Sequence, residues 1–359
     1  MINDYEKKKI LVTGGSGFIG SNFILYFLSK YPNYHIINLD KLTYAATEGL
    51  IEEINRNENY TFIQGSIENR ELVQHIFTTY DVKGVINFAA ESHVDNSIAN
   101  PEVFMTTNIM GTFHLLNIAY NYWMDGVEKI KPGYELSRFH HISTDEVYGA
   151  LGEIGVFTEN SNYAPNSPYS ASKASSDLII RSYYKTYGLN VVTTNCSNNY
   201  GPRQNKEKLI PTIIRSALAG SYIPVYGDGK NVRDWLHVHD HVTAIDLAFH
   251  EGISGETYNI GSNNEWSNIE LVEKICNILD KKAEGRLNEL ELESFHQLIQ
   301  LVEDRPGHDW RYAIDSTKFS RKTGWVPQIQ FENGLSQTID WYIAQNQTKI
   351  LQGCVEKIG

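Results

Sequence analysis

An α/β fold built on a doubly wound parallel sheet is what this sequence predicts, and three observations predict it. Over the first two-thirds of the chain, short β-branched runs alternate with longer amphipathic stretches, the pattern of parallel strands joined by crossover helices. A glycine-rich segment, Gly14-Gly15-Ser16-Gly17-Phe18-Ile19-Gly20, falls between the first such run and the first amphipathic stretch. From Asn198 the pattern changes: Gly, Pro and Asn cluster in Asn198-Asn199-Tyr200-Gly201-Pro202-Arg203, a strong break signal, and a smaller mixed α/β C-terminal region follows.

Taken in order, strands are expected near Lys9 to Thr13, His35 to Leu39, Tyr60 to Ile63, Gly84 to Phe88, Phe139 to Ile142 and Asn190 to Thr194. Helices are expected between them at Phe18 to Ser29, Glu71 to Thr79, Glu102 to Trp123 and Ser170 to Tyr187, the last stopped by Gly188. Beyond Asn198, short strands near Ile223, Thr257 and Leu298 interleave with helices at His239 to His250 and Ile269 to Leu279. The charged tract Lys281 to Glu293 reads as a solvated loop or short surface helix. The expected division is a Rossmann-type dinucleotide domain over 1–197 and a second domain over 198–359, with room for part of the later chain to return to the first sheet.

Bulk properties narrow the partners. With 359 residues and 41% hydrophobic content the chain can bury an ordinary core, and 31 basic against 43 acidic residues give a net charge of −12. That balance argues against nucleic acid or an anionic membrane as a general partner, so any anionic ligand needs a local cationic patch. Cys196, Cys276 and Cys354 are odd in number and far apart; they form neither a disulfide framework nor a metal set. No metal is expected, and a reducing cytoplasm fits. The segment from Met1 to Lys9 lacks the apolar run and cleavage site of a secretory signal, and no apolar stretch reaches transmembrane length.

The glycine loop carries G-x-x-G-x-x-G at Gly14, Gly17 and Gly20, where small residues let the backbone approach a pyrophosphate at a helix N-terminus. The second strand ends in Asp40, about twenty residues beyond Gly20, where a carboxylate binds ribose hydroxyls and repels a 2′-phosphate. NAD is therefore favoured over NADP, although Lys41 and Lys9 could soften that repulsion. The plainer alternative is a tight turn that only packs helix on sheet.

The chemistry is concentrated in Ser143-Thr144-Asp145-Glu146-Val147-Tyr148-Gly149 and Tyr169-Ser170-Ala171-Ser172-Lys173. Tyr169 and Lys173, four residues apart on a helix, share a face. A tyrosine with a pKa of about 10 is a poor base unless a cation stabilises its phenolate; Lys173 is placed to do so, and Thr144 to donate to the same substrate oxygen. Oxidising an alcohol to a ketone acidifies the adjacent C–H, so one of Asp145 and Glu146 can remove that proton while the other protonates a departing hydroxyl. Two such carboxyls should titrate as a coupled pair. The alternative, that they merely cap the turn after a strand, is outweighed by their position beyond the strand's carboxyl end, where open α/β sheets bind ligands.

With these residues assembled, the chain resembles the extended short-chain dehydrogenase/reductase family, on its nucleotide-sugar 4,6-dehydratase branch. The resemblance runs from Thr13 to about Trp341 and is carried by Asp40-Lys41-Leu42-Thr43-Tyr44-Ala45, Ala89-Ala90-Glu91-Ser92-His93-Val94-Asp95, the Ser143 to Gly149 and Tyr169 to Asp177 segments, Asn195 to Pro202, Val232-Arg233-Asp234-Trp235-Leu236 and Asp304-Arg305-Pro306-Gly307-His308-Asp309. It implies a hydro-lyase with tightly held NAD acting on dTDP-glucose: oxidation at C4 with Tyr169 as base, loss of water across C5 and C6 with Glu146 as base and Asp145 as acid, and return of hydride to C6.

The resemblance places Gly14, Gly17, Phe18, Ile19 and Gly20, then Asp40, Lys41, Leu42 and Thr43, around NAD. Ser66 and Ile67, Phe88, Ala89, Ala90 and Ser92, and Thr107, Tyr169, Lys173 and Asn199 complete that site. It assigns Ser92, Thr144, Asn198, Lys208 and Leu209 to the substrate, with Pro224, Val225, Tyr226, Arg233 and Asn268, and Asp304, Arg305, Pro306, Gly307 and His308. Lys208, Arg233 and Arg305 supply the local positive charge a diphosphate needs, arginine being suited to bidentate contact. A homodimer built on the Glu102 to Trp123 and Ser170 to Tyr187 helices is also implied.

The chain departs from that pattern in several places. Gly65-Ser66-Ile67 stands where the family usually has Gly-Asp-Ile, so a hydroxyl replaces a carboxylate near the adenine. Ala45-Ala46-Thr47 replaces Ala-Gly-Asn, Asn96 stands for an arginine, Arg203-Gln204-Asn205 precedes Lys206, and Ala150 to Val156 is a short loop. Three rival readings remain: a nucleotide-sugar 4-epimerase or decarboxylase, which shares the Tyr169/Lys173 pair but not Asp145-Glu146; a 4,6-dehydratase of another nucleotide sugar such as UDP-glucose; and a catalytically silent NAD-binding sensor, against which the intact set of five catalytic side chains speaks.

Overall fold

The structure, a computed structural model, describes residues 7–47, 50, 54–304 and 306–355, with side chains up to residue 345. The strands before the break at Asn198 are β1 (Lys8–Thr13), β2 (Tyr34–Asp40), β3 (Tyr60–Gln64), β4 (Gly84–Asn87), a small hairpin of β5 (Met124–Gly126) and β6 (Lys129–Ile130), β7 (Arg138–Thr144) and β8 (Val191–Cys196). After it come β9 (Asn198–Tyr200), β10 (Ile223–Tyr226), β11 (Val232–His237), β12 (Thr257–Ile260), β13 (Glu265–Ser267) and β14 (Ile299–Val302). Seven of them form one sheet in the order β12-β8-β7-β4-β1-β2-β3, parallel throughout.

Strand periodicity sorts the side chains of this sheet into two cores. Leu11, Val85 and Phe139 point to one face, against the helices Arg70–Tyr80, Thr112–Trp123 and Pro168–Tyr187. Their chain neighbours Ile10, Val12 and Ile86 point to the other, against Phe18–Lys30 and Val238–Glu251. Both faces being covered, the central strands read as near-continuous apolar runs rather than alternating ones. Strand order reverses direction between β1 and β4, and the crevice at that switch point is where such sheets hold ligands.

The second face is pinned by one buried carboxylate. Asp246 accepts from Tyr26 Oη at 2.9 Å, Lys30 Nζ at 2.7 Å, Tyr31 Oη at 3.1 Å and His250 Nδ1 at 2.8 Å, joining the first helix to Val238–Glu251. Burial pushes this carboxyl up, but the bonds from His250, Lys30 and Tyr26 outweigh it and hold it below the usual range. A depressed carboxyl contributes stability above its ordinary value of 3.8 and loses it as pH falls through the lowered one. Asp246→Ala is expected to cost about 2–3 kcal/mol at neutral pH, since Lys30 and His250 can still turn to water; urea unfolding checks this, and the deficit should shrink in acid.

The structure departs from the sequence expectations in a few elements. The span Glu102 to Trp123 is not one helix: Pro101–Phe104 passes into a π-helical segment, Met105–Gly111, before Thr112–Trp123. A π-turn inserts an extra residue and turns side chains to new directions, commonly at functional sites; here it buries both Thr107 and Asn108. Helices at Val94–Ala99, Leu209–Ala219, Thr317–Thr323 and Phe331–Val355 were not anticipated, and the charged tract after Lys281 contains the short helix Glu284–Glu289. β12 lies in the first sheet beside β8. The later chain has its own core, formed by Leu209–Ala219, Asn268–Lys282 and Phe331–Val355, over the small sheets β13-β11-β9 and β10-β14.

Candidate active site

A cleft crosses the carboxyl ends of the central strands, and its walls come from both regions of the chain. On the dinucleotide side it is lined by Gly14, Gly17, Phe18, Ile19 and Gly20, by Asp40, Lys41 and Thr43, by Ser66 and Ile67, and by Phe88, Ala89, Ala90, Ser92, Thr107 and Asn199. Two glycines of the loop are dictated by packing: a Cβ on Gly14, at φ +67°, would lie 2.6 Å from Ala89 N, and one on Gly20 would lie 2.5 Å from Gly14 O. Gly17 is different. Its φ is −74°, and a Cβ there would meet only Gly14 O, at 3.3 Å. The protein's own packing presses less on a side chain at 17 than at 14 or 20, and the residue stands at the N-terminus of Phe18–Lys30, whose first turn holds no acidic residue and whose free N–H groups suit an anionic ligand. These residues fit a dinucleotide. Gly17→Val should keep its melting temperature and weaken dinucleotide binding at least about tenfold, measured by calorimetry.

At the end of β2, Asp40 accepts from Ser16 N at 2.9 Å and Leu42 N at 2.8 Å, so its carboxylate is fixed at the cleft wall. Leu42 serves through its backbone, at φ 55°, and is not on the cleft wall. The Lys41 ammonium is engaged elsewhere, 3.1 Å from Glu91, 3.7 Å from Glu68 and 3.3 Å from Thr107 Oγ1. It is therefore poorly placed to welcome a 2′-phosphate. Ser66 Oγ, standing for the family's carboxylate, accepts from Glu68 N at 3.2 Å.

Farther along the cleft are Thr144, Glu146, Tyr169 and Lys173. β7 delivers Thr144 at its carboxyl end, and Asp145–Tyr148 turn at once into a 3-10 helix capped by Thr144, whose Oγ1 accepts from Glu146 N at 3.4 Å. Tyr169 and Lys173 are set by Pro168–Tyr187, which starts with a Ser167/Ser170 capping box and Pro168 and stops at Gly188 with φ 74°. Asp145 is not on the cleft wall. It lies beneath, 1% exposed, with Oδ1 accepting from Thr144 Oγ1 at 3.4 Å and Oδ2 without a hydrogen-bond partner.

That burial separates the two carboxyls. It pushes Asp145 well above the usual range, the adjacent Glu146 and then Asp234 push the same way, and Arg233 and the Thr144 hydroxyl offset them only in part. Asp145 thus favours its protonated form, next to a Glu146 that faces the cleft. Burial likewise raises the Tyr169 phenol, helped by Glu146 and Cys196 and opposed by the Thr144 hydroxyl. Burial brings the Lys173 ammonium down to about 8, with Asp177 and Cys196 opposing; its Nζ donates to Ile142 O at 2.7 Å. The phenol is thus held toward its protonated form in the protein alone.

Of the residues expected to meet substrate, Ser92, Thr144, Asn198 and Lys208 line the same cleft, Lys208 Nζ donating to Ser92 O at 2.8 Å. The others stand apart from its wall. Pro224, Val225 and Tyr226 run along β10 beside β14, with Val225 buried in the core, the His308 ring edge-on to Tyr226 at 6.3 Å and His308 Nδ1 2.7 Å from Asp304. Pro306 and Gly307 belong to that same loop, Gly307 at φ 67°. Arg233 is 5% exposed and donates to Val232 O at 2.7 Å, Asp309 O at 2.9 Å and Trp310 O at 3.3 Å. Asn268 is tied to the same place through Asn231, its Oδ1 without a hydrogen-bond partner. Leu209 opens Leu209–Ala219 and packs on the C-terminal core. Arg305 lies outside the described residues.

The cleft also presents residues that the sequence reading named only within motifs or as departures near the site, or did not name. Leu39, Ala45, Ala46, Gly65, Glu91, Ser143, Cys196, Gln204 and Asn205 all line it. Asn108 backs it from the π-turn, bonded to Glu91 N at 2.8 Å, Glu91 O at 3.0 Å and Ser172 Oγ at 2.8 Å. Glu91 and Cys196 sat inside segments already singled out and could have been taken with them; Asn108, in an ordinary amphipathic stretch, gave no signal.

Comparison with known proteins agrees with this arrangement. Residues 11–338 match the family model described as GDP-mannose 4,6 dehydratase. A dTDP-glucose 4,6-dehydratase of Xanthomonas campestris pv. campestris is 49% identical over 349 residues, 96% of this chain and 95% of the relative. The dTDP-glucose 4,6-dehydratase of Bacillus anthracis, solved in complex with NAD, superposes with a TM-score of 0.80 at 45% identity, covering 95% of this chain and 98% of that one. That of Streptomyces venezuelae, solved with NAD and TYD bound, gives 0.82 at 41% identity over 94% and 97% of the two chains. Sequence, fold and cleft together show that this chain belongs to the dTDP-glucose 4,6-dehydratase family of extended short-chain dehydrogenases/reductases.

Proposed function

We propose that the protein converts dTDP-glucose to dTDP-4-keto-6-deoxyglucose with NAD as resident cofactor. One observation carries this reading: Asp145, buried and with its carboxyl pushed up by that burial, and a cleft-facing Glu146 follow Thr144 at the end of β7, in the cleft that Tyr169 and Lys173 line. Gly14 to Gly20, Asp40, Thr107, Lys173 and Asn199 would hold NAD, which supplies a hydride acceptor at C4 and afterwards the hydride that C6 receives. Tyr169 takes the proton of the 4-hydroxyl, Thr144 holds that oxygen and Lys173 steadies the phenolate. The new ketone acidifies C5–H. Glu146 takes that proton as Asp145 gives its own to the 6-hydroxyl, which leaves as water; Glu146 then returns a proton to C5. The proton held by Tyr169 passes through solvent to Asp145, so the side chains are restored and the sum is loss of one water. Lys208, Arg233 and Arg305 would meet the diphosphate.

In this reading residues 1–197 carry the cofactor and most of the chemistry and 198–359 chiefly the nucleotide sugar, with Asn198, Asn199 and Lys208 shared in one cleft. Mass spectrometry of mixtures offered dTDP-glucose, UDP-glucose and UDP-N-acetylglucosamine separately tests both reaction and substrate. A product lighter by one water from dTDP-glucose alone supports the assignment; no such product from any of them overturns it. A homodimer is supported by apolar side chains exposed on the expected helices, Val103, Met110 and Leu178; light scattering of Leu178→Asp, expected to be monomeric, checks it. No described helix is long and apolar enough to cross a membrane, and the buried unpaired Cys196 and Cys276 favour a reducing cytoplasm.

A further inference from the structure

Behind Tyr169 and Lys173 lies a hydrogen-bonded layer that the steps above leave unused. His141, on β7, is fully buried, and its neighbours fix its tautomer. Thr13 Oγ1 accepts from Ala89 N at 3.4 Å and so gives its proton to Asn87 Oδ1 at 2.6 Å. The Asn87 amide nitrogen is then left to donate to His141 Nδ1 at 3.2 Å. The ring proton is therefore on Nε2, which lies 3.3 Å from Asp177 Oδ1 and 3.4 Å from Lys173 Nζ. An N–H cannot accept from an ammonium, and this one lies within ion-pair distance of Asp177 Oδ1, a buried oxygen without a hydrogen-bond partner. Burial, with the nearby Lys173 charge, brings the imidazole down to about 4, and it stays neutral at working pH. Asp177 Oδ2 in turn accepts from Ser143 Oγ at 2.9 Å and Tyr163 Oη at 3.0 Å.

Two hydroxyls, Ser143 on β7 and Tyr163, thus donate to one buried carboxylate with the His141 ring beside it, a single helical turn beyond Lys173 and so on the same helix face. An ammonium withdrawn from water needs a counter-charge held at fixed distance. We propose that Asp177, clamped by Ser143 and Tyr163 beside the His141 ring, is the positioning residue that keeps the Lys173 ammonium charged and aimed at Tyr169 during oxidation at C4. This rests on the dehydratase reading above and adds a member to its machinery. The titratable groups bearing on Lys173 are Asp177 on its own helix, His141 on β7 and Cys196 on β8, with Asp145 and Glu146 acting on Tyr169 and Cys196 from the 3-10 turn. Burial raises the Cys196 thiol and His141 is neutral, so Asp177 is the one anion among the groups that bear directly on the ammonium.

The sign follows. Asp177 opposes the burial that lowers Lys173, so removing its charge must let the ammonium lose its proton at lower pH. The experiment measures the rate at which reduced nicotinamide absorbance rises when NAD-loaded enzyme meets dTDP-glucose, from about pH 6 to about pH 10. In Asp177→Asn the alkaline limb is expected to move acidward by about one unit, making the variant about tenfold slower above the limb, while KM for dTDP-glucose changes little. Asp177→Glu should restore the limb, and Tyr163→Phe, which removes one clamp, should move it the same way by less. A uniform loss of rate with the limb unmoved overturns the proposal, and should Asp177→Asn fail to fold, an unmoved limb in Tyr163→Phe does so. A wild-type enzyme that shows no absorbance rise with dTDP-glucose contradicts the function itself, not this inference alone.

Discussion

Tyr169→Phe is expected to abolish the appearance of reduced nicotinamide on mixing with dTDP-glucose, with turnover falling about 10³-fold or more. The hydroxyl is the one group in the cleft positioned by Pro168–Tyr187 to take the 4-hydroxyl proton, and its removal leaves Lys173, Thr144 and the glycine loop in place. The substitution is nearly isosteric: the ring keeps its edge-to-face contact with Phe104 at 6.3 Å, so cofactor content and melting temperature should stay at wild-type values. Burial and Glu146 raise this phenol in the protein alone, so the wild-type rate should depend on the state of Lys173 and fall as pH rises past about 8. A normal absorbance rise in the phenylalanine variant would show that Tyr169 is not the base.

How far such chemistry could be foreseen differs from element to element. β1, the glycine loop and Asp40 were legible because each depends on local chemistry: a β-branched run, small residues at a strand-to-helix turn, and a carboxylate at the next strand's end. Thr144, Asp145 and Glu146 were legible for the same reason, being consecutive. What the sequence hid was depth. Nothing local distinguishes Glu146, on the cleft wall, from Asp145, buried under it, yet the proposed roles of base and acid rest on that difference. The π-turn at Met105–Gly111 was hidden because its composition is that of an ordinary helix; tertiary bonds from Asn108 to Glu91 and Ser172 select it. Arg233 was placed at the substrate by the resemblance and by its charge, and the fold adds that three of its donations go to backbone carbonyls; Lys41 is held by Glu68 and Glu91, which only the fold brings near.

The paired substitutions Glu146→Gln and Asp145→Asn should divide the elimination into its halves. With Glu146→Gln, reduced nicotinamide still forms, because Tyr169, Lys173 and Thr144 are intact, but turnover drops about 10²–10⁴-fold and the C5 proton no longer exchanges with deuterated solvent. Rapid wash-in of deuterium at C5 would remove Glu146 from the role of base. With Asp145→Asn, exchange at C5 should persist while loss of water slows; equal loss of both steps would contradict its role as acid. Stability separates the two further. A carboxyl raised above its ordinary value is bound to its proton more tightly in the folded protein, so it costs stability increasingly as pH rises above 3.8. Asn keeps the shape of the protonated acid without that cost, and Asp145→Asn is expected to melt higher than the wild type at neutral pH while losing activity. The gain should vanish below about pH 4, where folded and unfolded forms are both protonated at this position. A melting temperature lowered at neutral pH would mean that Asp145 is held as the anion, and the assignment of acid and base would have to be exchanged.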